Sequence, residues 1–180
     1  MENAIFEEKK VSKAYMKLSL PLVLSMTVSL IYNLADTFFV AQTQNTNIVA
    51  GVSLCAPLFT TLMALGNIFG QGGSSLISRL LGKNDTTATR RVSAFCFWGA
   101  ILIGVLMGFI MLLFRTPLLY VIGANEETFN FARDYYTWLA IGAPALVLSF
   151  IHSNLLRSEG MSKESMIGTM GGAIVNILLD

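Results

Sequence analysis

Charge is what this sequence has least of. Asp, Glu, Lys and Arg make up 13% of its 180 residues, and the net charge is +1. A soluble domain carries about 25% charge. This chain therefore has too little to wet a full globular surface, and no basic footprint for nucleic acid. Histidine occurs once and cysteine twice. Cys55 and Cys96 sit far apart inside apolar runs. They lack the clustered spacing of a zinc site or a disulfide framework, and both read as ordinary buried cysteines. No nucleophile–base pair, metal motif or nucleotide loop is found, so the sequence does not read as an enzyme and calls for no organic cofactor.

Apolar residues fill the space that charge leaves. They make up 54% of the chain, and the mean hydropathy is +0.63. Four long apolar segments run over about 18–40, 52–81, 92–114 and 129–155. Each exceeds the roughly 20 residues a spanning helix needs. A fifth begins near Ser165 and reaches Asp180, about 16 residues or some 24 Å of helix. The expected fold class is an all-α membrane protein, a polytopic transmembrane helix bundle. Residues 1–17 form an N-terminal cytoplasmic segment and 18–180 the spanning region. The first apolar run is too long for a signal peptide, and no small-residue cleavage site stands out. Residues 171–180 carry no helix stop signal, so the chain is expected to be the N-terminal part of a longer protein.

Basic residues set the orientation. Lys9, Lys10, Lys13 and Lys17 precede the first span, and Arg79, Lys83, Arg90 and Arg91 surround the second connection. Arg157 and Lys163 mark the fourth connection. The first connection, 41–50, is uncharged, and the third, 115–128, sets one Arg against Glu126 and Glu127. Alternation of this kind places the N-terminus in the cytoplasm of a cell (inner) membrane protein. Asn84 and Asp85 can cap the helix into the third span. Ser162 can cap the fifth, with Glu164 favourable in its first turn. Pro144 is expected to kink the fourth span. The pairs Gly66/Gly70 and Gly104/Gly108 allow close helix approach.

Within this apolar material Asp36 is the only charged side chain between Leu18 and Ser78. An aspartate at the centre of a spanning helix costs about 2.5–3.5 kcal/mol on insertion scales. Such groups usually face a cavity or a partner. Asp36 lies about 28 Å and Asp180 about 24 Å from the inner ends of their helices, at 1.5 Å per residue. The two carboxylates thus share a depth in the outer half of the membrane. Asn33 and Asn176 lie at helical neighbour spacing from them. Two carboxylates with amide oxygens suit a proton or a hard cation such as Na⁺. Two close carboxylates in low dielectric cannot both stay ionised without a cation. That is chemistry for ion-coupled transport.

Other polar groups read two ways. Asn67 and Gln71, four apart, line a cavity or bond between helices. His152 and Asn154 lie toward the inner end of the fourth span, where a lone His is more often packed than a proton relay. The Gly70 to Ser75 stretch matches no phosphate-binding fingerprint. Tyr135, Tyr136 and Trp138 read as interfacial anchors. The nine methionines suit apolar binding or lipid contact.

Several segments together resemble one family. Leu20-Pro21 followed by Asn33-Leu-Ala-Asp36-Thr37-Phe-Phe-Val40 resembles the first helix of MATE multidrug and toxin extrusion transporters. The glycines at Gly70 and Gly73 before Ser78-Arg79-Leu-Leu-Gly82 resemble the end of its second helix. Asn154-Leu-Leu-Arg157-Ser-Glu159-Gly160 resembles its fourth-to-fifth connection, and Asn176-Ile-Leu-Leu-Asp180 its fifth helix. The flavour is closest to the branch related to the DNA-damage-inducible F proteins.

The resemblance implies twelve helices in two six-helix lobes, with this chain supplying five helices of the N-terminal lobe. It implies export of cationic or amphipathic small molecules against inward H⁺ or Na⁺. Asp36, Asn176 and Asp180 would form the H⁺ or Na⁺ site, and Asn154 would line the cavity, with Asn33, Asn67 and Gln71 as further candidates. Ion binding would change the bend of the first helix. Membrane lipid is the surrounding partner. The sixth helix and the C-terminal lobe are missing, and alternating access needs two bodies. Two other readings stand beside this one. A lipid-linked oligosaccharide flippase calls for a basic cavity, yet no Lys or Arg lies in the interior of the first three spans. The other is a non-transporting membrane fragment or scaffold.

Overall fold

The computed structural model describes residues 11–179. Among them every element is helical: α1 (Val11–Gln42), α2 (Thr46–Leu54), α3 (Ala56–Gly82), α4 (Thr86–Leu113), α5 (Arg115–Val121), α6 (Phe129–Ser158) and α7 (Ser162–Leu179). Four stretches are long and apolar enough to cross a membrane: Tyr15–Gln42, Thr46–Gly82, Thr86–Leu113 and Phe129–Ser158. They match the four long apolar segments, and α7, with 18 residues, matches the short fifth. The all-α membrane fold is borne out.

The differences lie in the connections. Asn45 caps α2, its Oδ1 accepting from the Asn47 amide at 3.0 Å, so helix begins inside the expected loop 41–50. The second segment is two helices that meet at Cys55. Pro57 stands in the first turn of α3, where its missing N–H is no loss. Continuing one helix through it would set its ring against the Ser53 carbonyl. α5 occupies part of the expected third loop. Asp85 caps α4 as expected, Oδ1 accepting from the Ala88 amide at 2.9 Å. The cap of α7 is Met161 rather than Ser162: the Met161 carbonyl already accepts from the Ser165 amide at 3.1 Å.

α6 is the axis of the bundle. α3 and α4 flank it, α2 and α5 meet it, and α7 links it to α1. Glycines let the flanking helices close on it. A Cβ at Gly66 would fall 3.1 Å from the Val147 carbonyl oxygen, and one at Gly104 would fall 2.7 Å from Pro144 Cα. α6 remains one helix through Pro144. The core holds Leu62 and Ile77 of α3, Ala100 and Met111 of α4, and Tyr136, Val147 and Ile151 of α6. The outward faces stay apolar, with Leu102 72% and Phe109 62% exposed, as lipid contact requires.

Tyr136 corrects the sequence reading. It is fully buried, and its hydroxyl donates to the Met111 carbonyl at 2.7 Å. A tyrosine so placed pins α6 to α4 and is no interfacial anchor. Trp138, by contrast, is 74% exposed.

Candidate functional site

α1 and α7 pack against each other, and each carries one of the candidate coupling residues. Asp36 lies six residues before the end of α1, half-buried, with Oδ1 shielded from solvent. Asn176 lies three residues before the end of α7. Its Oδ1 is equally shielded and has no hydrogen-bond partner among the described residues. Shielded acceptor oxygens on paired helices suit a small cation or a proton. Asp180 lies outside the described residues. Among the described residues, no group of three or more His, Cys, Asp or Glu is placed to hold a metal ion.

Tyr135 of α6 stands within electrostatic range of Asp36. The sequence reading took it for an anchor. The signal that could have found it is depth, because α6 starts at Phe129 at the end of the bundle where α1 finishes.

Asn33 is not part of the shielded set. It is exposed, and its amide donates to the Ser29 carbonyl of its own helix at 2.7 Å. Helical neighbour spacing brought it near Asp36 in sequence, but its donor is taken by its own backbone. Three hydroxyls of α1 do the same. Ser25, Thr27 and Thr37 donate to the carbonyls of Pro21, Val23 and Asn33 at 2.8, 2.9 and 2.8 Å.

A second polar set lies between α3 and α6. Asn154 Nδ2 donates to Asn67 Oδ1 at 3.3 Å and to the Phe150 carbonyl at 2.8 Å. Gly70 makes room for it, since a Cβ there would fall 2.8 Å from that nitrogen. Asn67 and Gln71 line an open cleft of about 530 Å³ with Thr60, Met63 and Ile68. Its wall combines amides, a hydroxyl and apolar side chains, and it carries no charge. Asn154 sits behind the cleft, joined to it through Asn67. His152 is exposed, with Nδ1 3.2 Å from the Leu148 carbonyl and its ring edge-on to Phe97. Neither contact leads toward Asp36.

The MatE family model matches residues 21–180. Multidrug export protein MepA of Staphylococcus saprophyticus is 36% identical over 176 residues, which is 97% of this chain and 39% of that protein. Its counterpart in Staphylococcus aureus strain NCTC 8325 is 34% identical over 175 residues, with the same coverage. The chain thus spans about two fifths of the length of these relatives. Among solved structures, the outward-facing conformation of a multidrug resistance MATE family transporter of the MOP superfamily matches with a TM-score of 0.87. It is 31% identical, covering 93% of this chain and 37% of that one. A MATE structure in complex with MaD5 matches with a TM-score of 0.88 at 32% identity, covering 93% and 38%. With the pattern of helices and the family model in agreement over nearly its whole length, the chain belongs to the MATE transporter family.

Proposed function

We propose that this chain forms most of the N-terminal lobe of a multidrug efflux transporter and carries its cation-coupling site. The observation that supports this most is the pair of shielded oxygens, Asp36 Oδ1 and Asn176 Oδ1, on the packed helices α1 and α7. A proton or Na⁺ is the transported ion. Protonation removes the Asp36 charge from a low-dielectric site, and Na⁺ offsets it with oxygen ligands from Asp36, Asn176 and Asp180. The α3 cleft offers Asn67 and Gln71 to an amphipathic or cationic compound, with Met63 and Ile68 for its apolar part. The names of the relatives, multidrug export proteins, support the substrate class. Rocking of two bodies around a central site needs a second lobe. The positive-inside pattern supports a cytoplasmic N-terminus in the cell membrane.

A chimera tests this. Residues 1–180 replace the aligned part of the Staphylococcus saprophyticus relative, and efflux of a cationic dye is measured in vesicles with H⁺ and Na⁺ gradients imposed separately. The chimera exports the dye, and Asp36→Asn abolishes export at unchanged membrane level. Export by the Asp36→Asn chimera at the parent rate would overturn the proposal. The gradient that drives the parent identifies the ion.

A further inference from the structure

The first turns of α4 and Glu159, the residue that ends α6, enclose a cleft of about 370 Å³ at the end of the bundle opposite the Asp36 site. Its wall carries two opposite charges, Arg90 and Glu159, with the hydroxyl residues Thr89 and Ser93 and the aromatics Phe97 and Trp98. Arg90 and Glu159 share this cleft, yet neither forms an ion pair within the described residues. Opposite charges facing one space without pairing leave room for a group that carries both signs.

The apolar side of the cleft says what that group is attached to. Trp98 lies eight residues beyond Arg90, about 12 Å deeper along α4. It is 67% exposed and meets Phe97 edge-on at 5.4 Å. Below it the outward face of α4 continues with Leu102, Val105 and Phe109, all exposed. The cleft therefore opens onto the membrane and leads into an acyl-chain track.

We propose that this cleft is a docking site for an aminophospholipid, with the phosphodiester on Arg90 and the primary ammonium on Glu159. A guanidinium matches two phosphate oxygens. The carboxylate of Glu159 selects within the lipid class. It accepts hydrogen bonds from a primary ammonium, finds no donor on a trimethylammonium, and repels a headgroup that is only anionic. Phosphatidylethanolamine fits both charges, while phosphatidylcholine and phosphatidylglycerol each fit one. This inference rests on the membrane fold and is independent of the drug-export reading.

The two tryptophans of the chain, Trp98 and Trp138, give the test a direct readout. The full chain carrying Trp138→Phe is reconstituted in dioleoylphosphatidylcholine vesicles, leaving Trp98 as the reporter. Dibrominated phosphatidylethanolamine, phosphatidylcholine or phosphatidylglycerol then replaces the host lipid stepwise. Brominated phosphatidylethanolamine quenches Trp98 at a lower mole fraction than the other two. Glu159→Gln removes that preference, and Arg90→Gln weakens it about fivefold, the worth of one charge near a membrane surface. Equal quenching by phosphatidylglycerol would overturn the proposal, as would a preference that survives Glu159→Gln at unchanged helicity. Relief of quenching by soluble phosphoethanolamine would assign the cleft to a free ligand and overturn lipid docking. The three-lipid comparison on the parent background decides the matter even where a variant fails to fold.

Discussion

Gly108 of α4 packs directly onto the carbonyl of Ala140 in α6. A Cβ at Gly108 would fall 2.6 Å from that oxygen. The carbonyl is special because Pro144, four residues on, has no N–H to offer it. The glycine thus covers the acceptor that the proline leaves without its helical donor. Gly108→Ala should destabilise the bundle by about 1–3 kcal/mol, the usual cost of overpacking against a fixed backbone. Gly142→Ala is the control, since its Cβ would meet nothing within 4 Å. Denaturation in mixed micelles should show a lower midpoint for the first variant only.

The Asn67–Asn154 hydrogen bond is the polar tie between α3 and α6 behind the cleft. A double-mutant cycle with Asn67→Ala and Asn154→Ala should give a coupling of about 0.6 kcal/mol, typical of side-chain bonds between membrane helices. Additive effects of the two substitutions would show that the 3.3 Å contact contributes nothing.

Tyr136→Phe keeps the ring and deletes the hydroxyl that reaches the Met111 carbonyl at 2.7 Å. The loss should be about 1 kcal/mol, read as a lowered melting midpoint. Trp138→Phe, on an exposed side chain, should leave the midpoint within error.

Cys55 is 0% and Cys96 3% exposed. A membrane-permeant maleimide should leave both unlabelled in the folded chain and modify both after SDS denaturation. Labelling of Cys96 in the native state would contradict its packing against Gly73.

The spans were legible because each of the four long apolar runs outlasts 20 residues and charge is concentrated in and beside the connections. The break at Cys55 was not, because hydropathy continues across it and Pro57 is acceptable in a first turn. α5 is too short, at seven residues, to register above its loop. Asp36 was legible by isolation, and Asn176 because an amide in an apolar helix is conspicuous. Tyr135 and Tyr136 show the limit. They are adjacent in sequence and about 100° apart around one helix. One comes within electrostatic range of Asp36 and the other enters the core. Only packing decides which rotation of α6 is adopted, and α6 has no strong apolar stripe to announce it.

The side-chain donors of Ser25, Thr27, Asn33 and Thr37 all end on carbonyls of α1 itself. Elsewhere neighbouring helices are laced together, by Tyr136 to Met111, Asn154 to Asn67 and Ser165 to the Ser153 carbonyl. Turning α1 about its long axis breaks none of its four internal bonds. In mechanical terms side-chain bolts join α3, α4 and α6, whereas these four groups of α1 travel with their own shaft and add no friction to its rotation against α7.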